Sequence, residues 1–210
     1  LNIDNHQIKK ISHEGSWQTK TYGIIERANV EARDIEKNLK DLEAKTTFQA
    51  NVDDETFPIE LKTLGDQGNV YAALAAIAVG KIYNLTNSQI TEGLLNVKSE
   101  KHRMQIVRGK KNTIIIDDSY NANPISMKAA LTVLKRISNR GRKIAVLGDM
   151  LEINQIADKA HKIIGEYAKE VADEVISVGK LSKLYQADHY FTDKVVAIEY
   201  LLKEIRQGDI

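Results

Sequence analysis

The sequence predicts an α/β protein built from two successive domains. In its second half, short apolar runs alternate with amphipathic helical segments, and short polar connections join them. This rhythm is typical of a parallel sheet covered by helices on both faces, and right-handed crossovers make it Rossmann-like. In the first half, two runs of alternating polarity precede an alanine-rich helical segment. Residues 96–102 are polar and unpatterned, so the predicted domains are residues 1–98 and 99–210.

The first half is predicted to hold a hairpin and two helices. Two runs alternate apolar and polar side chains on either side of three acidic residues, as β-hairpins do. The alanine-rich segment then places apolar residues at helical spacing, and a capping hydroxyl or amide opens a second, shorter helix. Trp17 is expected to pack locally. The predicted elements are residues 46–61, 69–83 and 86–95.

The second half is predicted to alternate four strands with three helices. Each strand is a short run of mainly apolar residues, and each helix repeats its apolar positions with a helical period. The predicted strands are residues 114–117, 143–147, 174–178 and 190–191. The predicted helices are residues 124–137, 156–172 and 194–203.

The composition excludes several classes of function. The 210 residues carry a net charge of +1, so no bulk positive charge indicates a nucleic-acid partner. The absence of cysteine excludes disulfides, thiolate metal sites and cysteine nucleophiles, and it fits a reducing, cytoplasmic location. No apolar run is long enough for membrane insertion. The five histidines lack metal-ligand spacing, so none is assigned to a metal.

The most informative segment is the polar turn that joins strand 114–117 to the helix opened by Pro124. It reads Asp-Asp-Ser-Tyr-Asn-Ala-Asn-Pro. Asn123 and Pro124 alone fit an ordinary helix start, but a helix cap does not account for the polar residues from Asp117 to Asn121. Adjacent carboxylates repel each other unless a cation or hydrogen-bond donors compensate. At the carboxyl end of a strand, such a turn predicts a ligand site.

Two further positions are candidates for the same site. Gly148 and Asp149 follow the next strand, and they form either a turn that needs glycine or a second loop lining the site. Arg103 stands at the junction of the two halves. It is either a solvated charge that leads into an edge strand or a guanidinium that binds phosphate. His161 follows the Gly-Asp loop and is expected at the surface.

Two nucleotide-binding fingerprints are absent from the sequence. It contains neither Gly-x-x-x-x-Gly-Lys-Ser/Thr nor Gly-x-Gly-x-x-Gly, so it has no recognisable triphosphate cradle or dinucleotide motif. The first residue is leucine, and the last predicted helix has no following strand. The chain is therefore expected to be a fragment that does not turn over ATP by itself.

The polar turn and residues 148–152, Gly-Asp-Met-Leu-Glu, resemble a known family, the Mur ligases of bacterial cell-wall synthesis. Residues 1–4 and 68–79 resemble two segments of that family's central domain. Gly68 and Ala72 depart from the histidine and asparagine usual there. The string in the turn is most similar to the branch that adds D-alanyl-D-alanine.

This resemblance implies a fold and an activity. Residues 1–98 are implied to be the C-terminal part of the central ATPase domain, and residues 99–210 a truncated, Rossmann-like C-terminal domain. The implied reaction is ATP-dependent amide formation, which joins D-alanyl-D-alanine to UDP-N-acetylmuramoyl-tripeptide through an acyl phosphate. ATP and Mg²⁺ are the implied cofactors, with the Mg²⁺ ligands mostly outside these residues. A cytoplasmic monomer is expected.

The resemblance also implies roles for single residues. Arg103 and Asp118 are implied to be catalytic and to bind the nucleotide, and Asn69 is implied to meet the adenine. The residues implied to line the substrate site are Ser119, Tyr120, Asn121, Asn123 and Asp149.

Three alternatives stay open. Another ligase of the superfamily, such as the folylpolyglutamate type, predicts a different string at residues 117–124. A phosphoacceptor receiver domain requires an acid pair, a later aspartate and a lysine. The residues that superficially match are Asp117, Asp118, Asp149 and Lys180. Their spacing is wrong, because only one helix is predicted between the acid pair and the later aspartate. The third alternative is a nucleotide-binding module without catalysis.

Overall fold

The computed structural model describes residues 1–11, 18–40, 43–63, 67–98, 100–137, 141–153 and 156–210. The chain divides into two compact units, Leu1–Ser99 and Glu100–Ile210. Each unit has a hydrophobic core of its own. Trp17, for which local packing was predicted, lies outside the described residues. Among the described helices, none is long and apolar enough to cross a bilayer.

Among its described residues, the first unit combines a four-stranded sheet with three helices. The strands, in their order across the sheet, are β1 (Tyr22–Gly23), β2 (Val30–Lys40), β3 (Glu43–Val52) and β4 (Glu55–Leu61). β1 pairs parallel with β2, and the other neighbours pair antiparallel. The helices are α1 (His6–Ile11), α2 (Gln67–Ile82) and α3 (Asn87–Leu95).

The β3–β4 hairpin confirms the predicted alternation. Phe48 and Ala50 of β3 are buried, and Phe48 lies opposite the buried Ile59 of β4. The turn places Asp53 and Asp54 at φ 48° and 67°, a left-handed conformation that aspartate tolerates better than most residues. One face of the sheet is therefore apolar and ready to receive a helix.

Helix α2 covers that face. Val70, Leu74 and Ile77 recur at helical spacing and are fully buried in the core of the first unit. Burying each such side chain stabilises the fold by about 1.5–3 kcal/mol. Helix α3 begins with the predicted cap, because the Thr86 hydroxyl and the Gln89 side chain form a capping box.

In the part that the structure describes, the second unit combines five strands with three α-helices and with short 3₁₀ helices at Lys110–Asn112 and Ser182–Tyr185. The strands are β5 (Gln105–Arg108), β6 (Ile114–Asp117), β7 (Ile144–Gly148), β8 (Glu174–Val178) and β9 (His189–Phe191). The helices are α4 (Pro124–Arg136), α5 (Ala157–Val171) and α6 (Lys194–Glu204). β7, β8 and β9 form a parallel sheet, whereas β5 pairs antiparallel with β6. The predicted α/β class and the predicted strands are confirmed.

The helices cover this parallel sheet unevenly. In β8, the neighbouring residues Val175 and Ile176 are both fully buried, so both faces of that strand are covered. In β7, Ala145 and Leu147 are buried, but Val146 between them is 50% exposed. The prediction of a sheet covered on both faces is thus correct at β8 and wrong at β7.

Strands β6 and β7 are linked through two residues that lie between them. The Ile114 N–H donates to the Asp209 carbonyl at 2.9 Å. The Ile210 N–H donates to the Arg142 carbonyl at 2.9 Å, and the Ile144 N–H donates to the Ile210 carbonyl at 2.7 Å. β6 and β7 are therefore next-but-one neighbours, about 9–10 Å apart.

Candidate functional site

The polar turn after β6 opens α4 with a capping box. The Asn123 side-chain oxygen accepts hydrogen bonds from the N–H groups of Ile125 and Ser126, both at 3.0 Å. The Ser126 hydroxyl accepts in return from the Asn123 N–H at 3.3 Å. Pro124 is the first helical residue. The predicted helix start is confirmed, so the cap belongs to Asn123 and not to Asp118.

Asp117 is the centre of a hydrogen-bonded cluster at the start of this turn. The Ser119 hydroxyl donates to one carboxylate oxygen at 2.6 Å, and the Ser119 N–H donates to the same oxygen at 3.1 Å. His102 Nδ1 lies 2.7 Å from the other oxygen. Partial burial opposes ionisation of Asp117, but the bonds from Ser119 and His102 outweigh it, so the pKa of this carboxyl lies below its ordinary value.

The chain that leads into β5 is fastened to the same turn. The Tyr120 N–H donates to the His102 carbonyl at 3.1 Å, and the Met104 N–H donates to an Asp118 carboxylate oxygen at 3.0 Å. Arg103 lies between these two anchored residues. Its guanidinium carbon is 4.1 Å from the centre of the Tyr120 ring, which is a cation–π contact.

This turn presents polar groups to solvent. Arg103, Ser119 and Asn121 are exposed, and Tyr120 is 65% exposed although its ring carries the guanidinium. The Asn121 side-chain oxygen accepts from the neighbouring Ala122 N–H at 2.8 Å. A guanidinium, a phenol, a hydroxyl and an amide can therefore contact an anionic or polar ligand here.

Asp149 binds a neighbouring loop. One carboxylate oxygen accepts from the Lys180 N–H at 3.0 Å, and the other accepts from the Ser182 N–H at 2.6 Å. Gly179, the residue before Lys180, has φ 131°, and a Cβ there would lie 2.3 Å from the Asp149 carboxylate. Only glycine fits that position. The backbone of the loop after β8 thus contacts both oxygens of Asp149.

His161 is buried, so the prediction of a surface histidine is wrong. It is 0% exposed, and its Nε2 accepts from the Met150 N–H at 3.2 Å. Its Nδ1 therefore carries the proton and donates to the Ala157 carbonyl at 2.7 Å. Its ring packs 4.8 Å from that of Tyr185, whose hydroxyl donates to the Gly148 carbonyl at 2.8 Å. Burial raises the pKa of Tyr185. These contacts fix the loop after β7.

Asn69 lies in the first unit, within the first turn of α2. Its side-chain nitrogen donates to the Thr63 hydroxyl at 3.3 Å, and the residue is half-buried. It is the predicted site residue that belongs to the first unit.

Asp4 forms a second carboxylate cluster of the first unit, which sequence reasoning missed. Its oxygens accept from the N–H groups of Ile24 at 2.6 Å and Glu26 at 2.8 Å, and from the Tyr71 hydroxyl at 2.8 Å. Burial, together with the bond to Asp4, raises the pKa of Tyr71 to about 12. No sequence motif signals these partners, because they lie 20 to 67 residues away along the chain.

A comparison with protein families decides the lineage of the chain. The family model described as Mur ligase, glutamate ligase domain, matches residues 102–210, which is more than half of the chain. The chain belongs to the Mur ligase family. The match includes the polar turn, Arg103 and the loop that contains Asp149.

Named relatives and solved structures agree with this assignment. A UDP-N-acetylmuramoyl-tripeptide–D-alanyl-D-alanine ligase of Bacillus subtilis is 31% identical over 93% of this chain and 44% of that protein. The crystal structure of the MurF ligase from Thermotoga maritima in complex with ADP superimposes with a TM-score of 0.81 at 21% identity, covering 99% of this chain and 47% of that one. A MurF structure from Acinetobacter baumannii gives 0.81 at 25% identity, covering 97% and 44%. The chain spans a little less than half of these relatives.

The second unit of this Mur ligase chain brings together most of the predicted site. The Arg103 guanidinium packs on Tyr120, the N–H of the next residue, Met104, is bound to Asp118, and Ser119 is bound to Asp117. Sequence reasoning missed His102, whose only signal was its position next to Arg103. The described residues contain no group of three histidine or acidic side chains placed to hold a metal ion.

Proposed function

We propose that the protein to which this chain belongs is an ATP-dependent ligase that joins D-alanyl-D-alanine to UDP-N-acetylmuramoyl-tripeptide. The observation that carries the proposal is the exposed turn after β6, with the Arg103 guanidinium packed on Tyr120. The likeness to a ligase of that name over 93% of this chain supports it.

The reaction proceeds in two steps. ATP first phosphorylates the terminal carboxylate of the peptide to give an acyl phosphate and ADP. The amine of D-alanyl-D-alanine then attacks the acyl carbon, and the tetrahedral intermediate collapses to the amide and expels phosphate. Both steps build up negative charge, so fixed donors and cations must stabilise it, and the two substrates must be held in register.

The exposed groups of the turn suit these demands. Arg103 offers a planar fork of donors to the nucleotide phosphates, and Asp118 contacts the nucleotide beside it. Ser119, Tyr120 and Asn121 line the acceptor side.

Three other residues complete the assignment. Asn69 meets the adenine. Asn123 and Asp149 give their acceptor oxygens to backbone N–H groups, so their part is to hold the loops that carry the site.

We also propose that magnesium accompanies ATP. Carboxylates and waters are its usual ligands. The carboxylate oxygens of Asp117 are taken up by Ser119 and His102, and one oxygen of Asp118 by Met104. The part of the chain that the structure describes offers no three-ligand group. The Mg²⁺ ligands are proposed to come mostly from residues outside this chain.

The remaining assignments concern the setting of the reaction. The first unit is proposed to be the C-terminal part of the central ATPase domain, and the second the Rossmann-like C-terminal domain. The protein is proposed to act as a monomer in the cytoplasm. The 210 residues alone are expected not to turn over ATP, because the sequence lacks a triphosphate loop.

The test is a ligation assay with the whole protein. ATP and UDP-N-acetylmuramoyl-tripeptide are incubated with D-alanyl-D-alanine, L-alanine or L-glutamate, a separate reaction holds ATP, a folate and L-glutamate, and the product mass and released phosphate are measured. A product formed with D-alanyl-D-alanine alone supports the proposal. Glutamate ligation to a folate would favour the folylpolyglutamate type, and ATP binding without any product would favour a non-catalytic module.

A further inference from the structure

We infer that His102 is a positioning residue that holds Arg103 on the turn after β6. We call the hydrogen bonds that join residues 102–104 to Asp117, Asp118 and Tyr120 the latch. The consequence for catalysis rests on the proposed function, whereas the latch itself is a feature of the second unit alone.

The backbone on both sides of Arg103 adopts an uncommon conformation. His102 has φ 61° and Met104 has φ 50°, both in the left-handed region that non-glycine residues avoid. Residues persist there only where the surrounding contacts over-determine them, and such positions cluster at functional sites. Two such residues flank the one guanidinium that packs on Tyr120.

Contacts on both sides of Arg103 hold this conformation. On one side of Arg103, the His102 ring is bound to Asp117 at 2.7 Å and the His102 carbonyl accepts from the Tyr120 N–H at 3.1 Å. On the other side, the Met104 N–H is bound to Asp118. Both ends of the arginine's peptide segment are thus fixed to the turn that the guanidinium packs on.

A hydrolytic triad is the competing interpretation of this cluster. Ser119, His102 and Asp117 are the residue types of a hydrolytic triad, and Ser119 Oγ lies 3.5 Å from His102 Nδ1. A triad needs the serine and the aspartate on different ring nitrogens. Here the serine hydroxyl donates to the same carboxylate that His102 Nδ1 contacts. The cluster therefore suits holding a segment in place and not nucleophilic attack.

What the latch achieves is preorganisation. A guanidinium already fixed against an aromatic ring loses little freedom when it meets phosphate, so more of its interaction is realised in the transition state. Loss of the His102 side chain should lower kcat and leave the KM for D-alanyl-D-alanine nearly unchanged.

Three substitutions at one position separate side chain from backbone. His102→Gly accepts the left-handed φ and removes the donor, and His102→Ala removes the donor without relieving the backbone. His102→Asn tolerates the left-handed φ and places an amide nitrogen where His102 Nδ1 lies along the side chain. His6→Ala, in the exposed first turn of α1, is the matched control.

The expected result in the whole protein is a kcat about tenfold lower for His102→Gly and His102→Ala, with kcat largely restored in His102→Asn. The control should keep the wild-type kcat. A wild-type kcat in His102→Gly, or a kcat in His102→Asn as low as in His102→Gly, would overturn the inference.

A second measurement keeps this test apart from the proposed function. Amide hydrogen exchange in the 210-residue chain reports on the Tyr120 N–H, which donates to the His102 carbonyl. This N–H should exchange about tenfold faster in His102→Gly than in wild type. If the wild-type protein ligates none of the substrates, the proposed function fails, and the exchange experiment still decides on the latch. Unchanged Tyr120 exchange would overturn it.

Discussion

The connections after β6 and after β7 each follow a strand with an aspartate, yet the two turns are built differently. After β6, the acids bind both side chains and backbone N–H groups near the surface, and Tyr120 and Ile125 are 65% and 83% exposed. After β7, the carboxylate of Asp149 binds backbone N–H groups, and Met150 and His161 are fully buried. The turn after β6 therefore leaves large side chains exposed to solvent, whereas the turn after β7 is built around buried ones.

This difference predicts where substitutions act. A buried network leaves unsatisfied donors when one partner is removed, so its loss costs stability. Removing an exposed side chain leaves few buried donors unsatisfied, so the loss changes mainly binding and turnover. Substitutions after β6 should therefore change kinetics, and substitutions after β7 should change the free energy of unfolding.

The largest expected effect is that of Arg103→Ala in the whole protein. Removing a charged donor from phosphoryl transfer should lower turnover roughly 10²-fold or more, while the melting temperature stays near wild type because Arg103 supports no core. Arg103→Lys keeps the charge without the planar fork, so its turnover should lie between those of wild type and Arg103→Ala. Steady-state kinetics and a melting curve on each variant make the measurement. Unchanged kinetics would return Arg103 to the role of a solvated charge.

The second-largest effect is expected in the turn after β7. Asp149→Ala should destabilise the second unit by about 2 kcal/mol, because two N–H groups lose a charged acceptor. Hydrogen exchange of the β8 amides measures this change within the unit. Asp158→Ala, an exposed acid in the first turn of α5, is the control and should cost less than about 1 kcal/mol. Equal exchange in both variants would contradict the structural role of Asp149.

A smaller effect is expected for Asp118→Asn. The amide oxygen can still accept from the Met104 N–H, so stability should hardly change. The KM for ATP should rise about tenfold, which corresponds to about 1.4 kcal/mol of lost interaction. A lower melting temperature with an unaltered KM for ATP would show that Asp118 has a structural role and does not contact the nucleotide.

The smallest effect concerns pH. The pKa of Asp117 is lowered in the folded chain, so its stabilising contribution is complete above the ordinary carboxyl value and is lost as pH falls through the folded value. Solvent screening keeps this contribution below about 1 kcal/mol. Between about pH 6 and about pH 3, wild type should lose more stability than Asp117→Asn, as judged by exchange of the Tyr120 N–H. Parallel losses in the two proteins would show that the cluster does not favour the ionised form.

Local patterns were enough to predict most of the elements of the second unit and the cap at Asn123. They missed β2, because its register shifts between Arg33 and Glu36, where Asp34 takes φ 52°, and the alternation that signals a strand is broken there. They also missed α1, which is short and has no buried residue.

The string after β6 predicted a polar turn between a strand and a helix, and the structure has that turn. The contacts were not predictable, because the partners of Asp149 come from residues more than thirty positions later, which no local pattern reveals. His161 was misplaced because a histidine is polar on average, although its spacing from Ile164 and Ala168 puts it on the buried side of α5. His102 drew no attention, because its role depends on pairing across β5 and β6.

Chemical labelling of the buried His161 ring can also measure how fast the core around it opens. A reagent that modifies imidazole rings can react with the His102 side chain at any time, because that side chain is 56% exposed. It can reach His161 only during moments when α5 moves away from the loop after β7. At high reagent concentration, the labelling rate of His161 becomes the rate at which that part of the core opens. The labelling rate of His161 therefore measures how often this part of the core opens. The labelling rate of the exposed His102, in the same sample, gives the intrinsic reactivity of the reagent.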